Sequence, residues 1–384
     1  MKTNALQGIR VLDFTTTIAG PHCTRLLADL GAEVIKIEAP EGDMMRTRPP
    51  LRNGASGVFT YLNAGKRSVV LDLKNKSAIA AVKRMVAGAD ILVENFRPGV
   101  MKRLGLDYEQ LKAIKPDLIY AAISGYGQTG PSAELPAYAP MIHAASGYEI
   151  AHMSYQQDRD RPDNCGVFFA DFNSGSYCFG AIMAALYQRK TTGIGQMIDV
   201  SMVETMLGVL MGEVMRTQVH IDPPSRPMFG PVRTKTGYVM PAVASEKTFQ
   251  GLCHAAGRPD WITDPRFAKY TDRRNNWGEY VDELEKWSTR HSVEEVMAAF
   301  EANGVPASRY RSVPEVMADP QTAHRRVLQP VADAGGTLQV VAAPFRMSEA
   351  DTSVKNFCAD LGQNTKDVLR SFGLSDGEIK AATG

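Results

Sequence analysis

The chain has 384 residues, 44% of them apolar and 22% charged, an ordinary globular balance with room for two or three domains of about 100–200 residues. Lys and Arg number 43 against 42 Asp and Glu, so the net charge of +1 leaves no electrostatic footprint for nucleic acid or an anionic membrane. The five cysteines are scattered and the seven histidines show no metal-ligand spacing, which supports neither a disulfide framework nor a metal site. Reduced thiols, no apolar leader at "MKTNALQGIRVLDF" and no run of about 20 apolar residues lead to the expectation of a cytoplasmic protein.

In chain order, "IRVLDF" (9–14) reads as a buried strand, and "TTTIAGPHCTRLLADLGA" turns through Gly20-Pro21 into a helix ending near Gly31. "EVIKIEAP" (33–40), "RSVVLDL" (67–73), "DILVENF" (90–96) and "DLIYAAISGYG" (117–127) are further strands, with helices expected over 75–88 and 107–114. Strands alternating with helices predict βαβ units and a mainly parallel sheet, with loops gathered at the strands' carboxyl edge. "FADFNSGSYCFGAIMAALYQR" (169–189) follows as an almost wholly apolar helix that Asp171 is expected to open as its N-cap. A strand near 197–200 and a second apolar helix come next, the methionines there being core filler. The Pro- and Gly-rich stretch 220–237 reads as a connection to a smaller α+β domain, and the tail holds strands near 327–347 and a helix near 362–372. The domains are therefore expected as 1–220 with 331–384, and 225–330.

Familiar cofactor signatures are missing. No G-x-G-x-x-G follows the first strand, no Walker loop occurs, and no G-x-S-x-G elbow marks a hydrolase. What stands out is "VENFRPG" with cations downstream, beside Arg46 and Arg48 in "GDMMRTRPP" and Lys66, Arg67 and Lys74 in "NAGKRSVVLDLK". An apolar or aromatic platform beside several cations suits an adenine nucleotide bearing phosphates.

Together with "GAEVIKIEAPEGD", "ISGYGQTGP", "TGIGQMIDVSM" and "GVPASRYRSVPEVMADPQ", these stretches resemble the family III CoA-transferases over nearly the whole chain. The resemblance implies a Rossmann-like large domain with a mainly parallel sheet, a smaller α+β domain and an interlocked homodimer. It implies a coenzyme A thioester as substrate, with no permanently bound cofactor, and a free carboxylic acid as the other partner. It makes Asp171 the nucleophile that carries CoA as an aspartyl thioester. It sets CoA against Ile18, Ala19, Leu71, Asp72, Leu73, Lys74, Asn95, Phe96, Arg97, Arg103 and the segment Leu135, Pro136, Ala137 and Tyr138. The chain departs from the family at Ala39, Ser124 and Pro136, where members carry basic residues, and it lacks the consecutive glycines of formyl-CoA members. Succinyl-CoA or another dicarboxylyl-CoA is the expected donor, with Arg46 or Arg48 as a bidentate clamp for the second carboxylate. The α-methylacyl-CoA racemases of the same family are the alternative, and a degenerate CoA-binding module a further one. Racemases pair the aspartate with a histidine whose position is Tyr138 here, and a phenol titrating near 10 is a poor proton shuttle.

Overall fold

Six β-branched, apolar runs form one sheet in which every neighbouring pair is parallel: β1 (Arg10–Asp13), β2 (Glu33–Glu38), β3 (Arg67–Val70), β4 (Ile91–Glu94), β5 (Ile119–Ser124) and β6 (Gln196–Ser201). The computed structural model describes residues 4–156, 159–219 and 229–384. Strand order across the sheet is 3-2-1-4-5-6. This doubly wound order reverses between β1 and β4, and the reversal opens a crevice beyond their carboxyl ends.

Alternate side chains serve opposite faces, as the two-residue period of a strand requires. Leu12, Ile35, Val69, Leu92 and Tyr120 share one buried cluster, while Val11, Val34, Ile91, Val93 and Ile119 share the other. The second face carries helix α1 (Ala19–Asp29) and the 24-residue helix that begins at Phe169. On the first face lie Lys76–Ala87 and two C-terminal helices, Thr365–Ser371 and Asp376–Thr383. Both faces are covered, so the inner strands are buried along almost their whole length, the charged Asp13, Lys36, Glu38 and Glu94 included; the edge strand β6 alternates and is only half buried.

The strands end earlier than their apolar runs suggest, β2 at Glu38 and β3 at Val70. The expected helix over 107–114 is a single turn, Tyr108–Leu111. Helices Gly57–Asn63, α2 (Ala139–Ala145), Tyr148–Ser154 and Asp376–Thr383 had no counterpart in the sequence reading. The tail strands form a hairpin, Leu328–Asp333 with Gly336–Val341, closed through Gly336 at φ 105°.

The chain divides into two compact units, one holding residues up to 153, 159–211 and 320–384, the other built on 212–319. Residues 320–330, expected in the smaller domain, belong to the larger one, because Leu328–Asp333 pairs with Gly336–Val341. Part of the expected connection, residues 220–228, lies outside the described residues. The smaller unit sets a three-stranded antiparallel sheet (Val232–Arg233, Tyr238–Pro241, Ala307–Arg309) against helices around Trp261, Phe249, Phe267, Tyr280 and Phe300.

Candidate active site

At the crevice the chain leaves β1 through "DFTTTIAG", and buried charge fixes that turn. The Asp13 carboxylate accepts hydrogen bonds from the Thr15 amide (2.9 Å), the Thr24 hydroxyl (2.7 Å) and the Lys66 ammonium (3.0 Å). Lys36 donates to the Thr15 carbonyl at 2.7 Å. Burial alone would raise the Asp13 pKa, but Lys66, Lys36 and the threonine hydroxyls more than offset it and hold the group ionised. Across the strand reversal, the Asn95 side chain accepts from the Thr16 amide (2.9 Å) and donates to the Thr16 carbonyl (2.8 Å). This clamp joins the end of β4 to the turn. Thr17 follows at φ 69°, a conformation a β-branched residue adopts only under constraint. Glu94 secures the other lip by accepting from the Phe96 amide at 2.8 Å.

Two cavities open here. One, of about 310 Å³, is lined by Leu71, Asp72, Leu73 and Lys74, by Glu38 and Pro40, and by Thr16 and Phe96. The other, of about 240 Å³, is lined by Thr17, Ala19, Asn95, Arg97, Ser124, Leu135, Ala137, Tyr138 and Asp171, and again by Thr16 and Phe96. Both lie wholly in the larger unit. The shared residues make them two lobes of one elongated site. Leu135 and Tyr138 form an exposed apolar lip, 51% and 56% accessible. The Ser124 hydroxyl is buried and has no hydrogen-bond partner among the described residues.

Asp171 belongs to helix α3 (Phe169–Thr192) but does not cap it. Phe168 holds the N-cap position without a side-chain bond, and Asp171 lies two residues inside the first turn. The residue is 9% accessible, and its carboxyl accepts no hydrogen bond and faces no cation among the described residues. Burial alone pushes its pKa up to about 7. The His22 ring on α1 packs at a tilt against Phe172, centroids 4.6 Å apart, and burial together with Arg25 and Lys66 lowers its pKa to about 4, so it is neutral beside the site. Close approach of α1 and α3 aims the aspartate. A Cβ on Gly175 would lie 2.4 Å from the Ala19 carbonyl oxygen, and Asp171 sits one turn before Gly175 on the same helix face. The N-terminus of α1 has no side-chain cap; the amides of Ala19 and Gly20 find no acceptor among the described residues, and Pro21 has no amide to offer.

Several expected site residues fall elsewhere. Arg46 pairs bidentately with Glu38 (2.8 and 2.7 Å), reaches the Ala359 carbonyl and stacks over Phe59 at 3.9 Å. It lines a separate cavity with Asp333, away from Asp171, and is not a free clamp. Arg48 is exposed and lines none of these cavities. Lys66 is consumed by Asp13 and Arg67 by Glu33. Ile18 is buried behind the turn with Met45 and Phe59; Arg103 is exposed and, like Pro136, lines neither lobe. Thr17 and the role of His143, described below, were not read from the sequence; "TTTIAGP" signalled a turn but not its strain.

A doubly wound α/β protein with an elongated crevice at its strand reversal, and a buried acid in one lobe, defines the class. The profile of CoA-transferase family III matches residues 6–365, and the chain belongs to that family. It is similar to the succinate–glutarate CoA-transferase of Agrobacterium fabrum, 34% identical over 95% of this chain and 94% of that protein. It is also similar to the acetyl-CoA:oxalate CoA-transferase of Acetobacter aceti, 38% identical over 84% of each chain. Among solved structures, a CAIB/BAIF family protein from Brucella suis superposes with a TM-score of 0.85 at 33% identity, covering 97% of this chain and 100% of that one.

Proposed function

We propose that this CoA-transferase moves CoA from succinyl-CoA or another dicarboxylyl-CoA to a free carboxylic acid through an aspartyl-CoA thioester on Asp171. The observation that carries the reading is a desolvated, unpaired Asp171 carboxyl across one small lobe from the uncapped end of α1. A carboxylate stripped of hydrogen bonds is a stronger nucleophile than one in water.

The Asp171 carboxylate attacks the thioester carbonyl, and CoA thiolate leaves to give a mixed anhydride. The thiolate then attacks the Asp171 carbonyl, releasing the donor acid with one oxygen taken from Asp171. The acceptor carboxylate attacks the resulting aspartyl-CoA, the thiolate attacks the acceptor carbonyl of the new anhydride, and Asp171 is regenerated with an acceptor oxygen. Each tetrahedral intermediate bears an oxyanion, and the Ala19 and Gly20 amides are its donors in this reading, aided by the α1 dipole. CoA lies along both lobes. Its pantetheine crosses Phe96 and Thr16, its nucleotide meets Leu71, Asp72, Leu73 and Lys74, and Lys74 and Arg103 serve its phosphates from exposed positions.

The names of the relatives, which act on succinate, glutarate and oxalate, support a dicarboxylic acid on at least one side, oxalate included. With Arg46 spent on Glu38, Arg97 is the cation at the Asp171 lobe that can meet a second carboxylate. Tyr177, Tyr187, Leu207 and Met211 leave a broad apolar exposure on the larger unit, which supports assembly as a homodimer. Tyr138 in place of a histidine disfavours racemisation.

The test mixes the protein with succinyl-CoA and a panel of acids and follows new acyl-CoA species by mass spectrometry. Transfer to glutarate or a close dicarboxylate is expected. CoA binding with no new thioester across the panel would favour a binding module, and α-proton exchange without an acceptor would favour a racemase.

A further inference from the structure

Helix α3 carries the nucleophile, yet it brings no cap of its own. Phe168 offers no acceptor at the N-cap, and the Asp171 side chain does not turn back onto the first-turn amides. First-turn amides without acceptors leave a helix end free to fray, and here Phe168 and Phe169 are exposed while Ala170 and Asp171 are buried. Two of these amides are nevertheless held: the Phe169 amide donates to the Val167 carbonyl at 2.9 Å, within the entering chain, and the Ala170 amide finds its acceptor on another helix. The Ala170 amide donates to Nε2 of His143 at 3.0 Å.

His143 lies on α2, the helix that starts just after the Ala137–Tyr138 lip of the Asp171 lobe. It is 1% accessible and packs against the Tyr148 ring at 5.4 Å. Because Nε2 accepts, the ring carries its proton on Nδ1, which is buried with no partner among the described residues. Burial keeps the imidazole neutral by lowering its pKa, against a weaker pull in the other direction from Glu149. A neutral acceptor suits this place. An Asp cap one residue from the nucleophile would add a second negative charge and hinder ionisation of Asp171, and a hydroxyl cap on the same strand of chain would leave α2 and α3 untied.

We propose that His143 is a positioning residue for CoA transfer: by accepting the Ala170 amide it locks the first turn of α3, and so sets the Asp171 carboxyl against the Ala137–Tyr138 lip. The inference rests on the reading of Asp171 as the nucleophile. It assigns His143 no contact with substrate.

The experiment compares the full-length wild type with His143→Leu and His143→Gln, using succinyl-CoA alone for adduct formation and succinyl-CoA with glutarate for turnover. The Leu variant removes the acceptor at similar volume, while the Gln side-chain oxygen can replace it. The Leu variant is expected to lose about 100-fold in kcat, the scale of a small misplacement of a reacting group, with KM for succinyl-CoA within about threefold. Formation of the Asp171-linked CoA adduct should slow in parallel, and the Gln variant should recover most of both rates. Wild-type rates in the Leu variant, a loss confined to KM, or a folded Gln variant no better than Leu would overturn the proposal. Should the Leu variant not fold, the imidazole nitrogen spectrum of histidine-labelled wild type decides. A proton on Nδ1 alone between pH 6 and 8 is expected, and a proton on Nε2 would overturn the proposal. A wild type that forms no adduct at Asp171 defeats the transfer reading and this inference with it; an adduct formed equally fast without the imidazole defeats only this inference.

Discussion

Replacing Asp171 with asparagine separates what the buried carboxyl does for transfer from what it does to stability. In the fold the group titrates near 7, whereas in an unfolded chain it titrates near 3.8, and burial is the sole cause. Between those values the folded protein holds a proton that the unfolded chain has released, so raising the pH favours unfolding. The penalty grows through that window and levels off above the folded pKa. At about 1.36 kcal/mol per pH step, it amounts to about 2 kcal/mol at pH 5 and about 4 kcal/mol at pH 8.5. Asn cannot ionise and escapes it. Asp171→Asn should therefore be the more stable protein, by a margin that widens by about 2–3 kcal/mol between pH 5 and pH 8.5. Glu94, raised to about 7 mainly by burial, titrates in both proteins and cancels in the comparison. Urea melts at the two pH values measure the margin, and the same preparations should show no acyl-CoA exchange with the variant. In the wild type, the single-turnover rate of adduct formation should climb with pH and reach half its plateau near 7, because only the carboxylate attacks. A stability difference that does not change with pH, or an adduct rate flat from pH 5 to 8.5, would refute the claim that desolvation sets this group's ionisation.

Asn95→Ala removes both hydrogen bonds that clamp Thr16, at a cost of about 2 kcal/mol in thermal or urea melts, and should lower kcat by loosening the Thr17 turn; unchanged turnover would mean the clamp does not position the site. Gly175→Ala places a methyl 2.4 Å from the Ala19 carbonyl oxygen, so α1 and α3 must part, with about 1–3 kcal/mol lost and adduct formation slowed; a neutral variant would contradict the close approach. Arg46→Ala strips the guanidinium from buried Glu38, which keeps the Ser68 hydroxyl and the Asp43 amide as donors; this should destabilise the protein by about 3 kcal/mol while the ratio of kcat/KM for dicarboxylic over monocarboxylic acids stays constant. A changed ratio with stability intact would restore Arg46 as a clamp.

The sheet was legible because its strands are short apolar runs of Val, Ile and Leu punctuated by Gly, Pro and Asp, and buried parallel strands leave that trace. Their order was not, since nothing local in "RSVV" says that it lies beside β2 rather than β4. The short helix α2 carries too few residues to display a period, and its one informative side chain, His143, takes its meaning from Ala170 on another helix. The cations were misread for the same reason. Lys66 and Arg46 look like surface charges in "NAGKRSVV" and "GDMMRTRPP", but Asp13, 53 residues from Lys66, and Glu38, at the end of the strand before Arg46, claim them. Asp171 was read as the N-cap that opens an apolar helix, whereas it lies inside the first turn of a helix that Phe168 begins; its chemistry came from the resemblance. Its elevated pKa reflects partners that are missing, and absence leaves no mark on a sequence.

Following the oxygen atoms tests the central claim most directly. Transfer with an acceptor acid labelled with heavy oxygen in its carboxylate, followed by peptide mass spectrometry, should find one heavy oxygen in the Asp171 carboxyl after a single turnover. New acyl-CoA formed without label ever reaching Asp171 would contradict the account, because no anhydride would have joined that side chain to the acceptor.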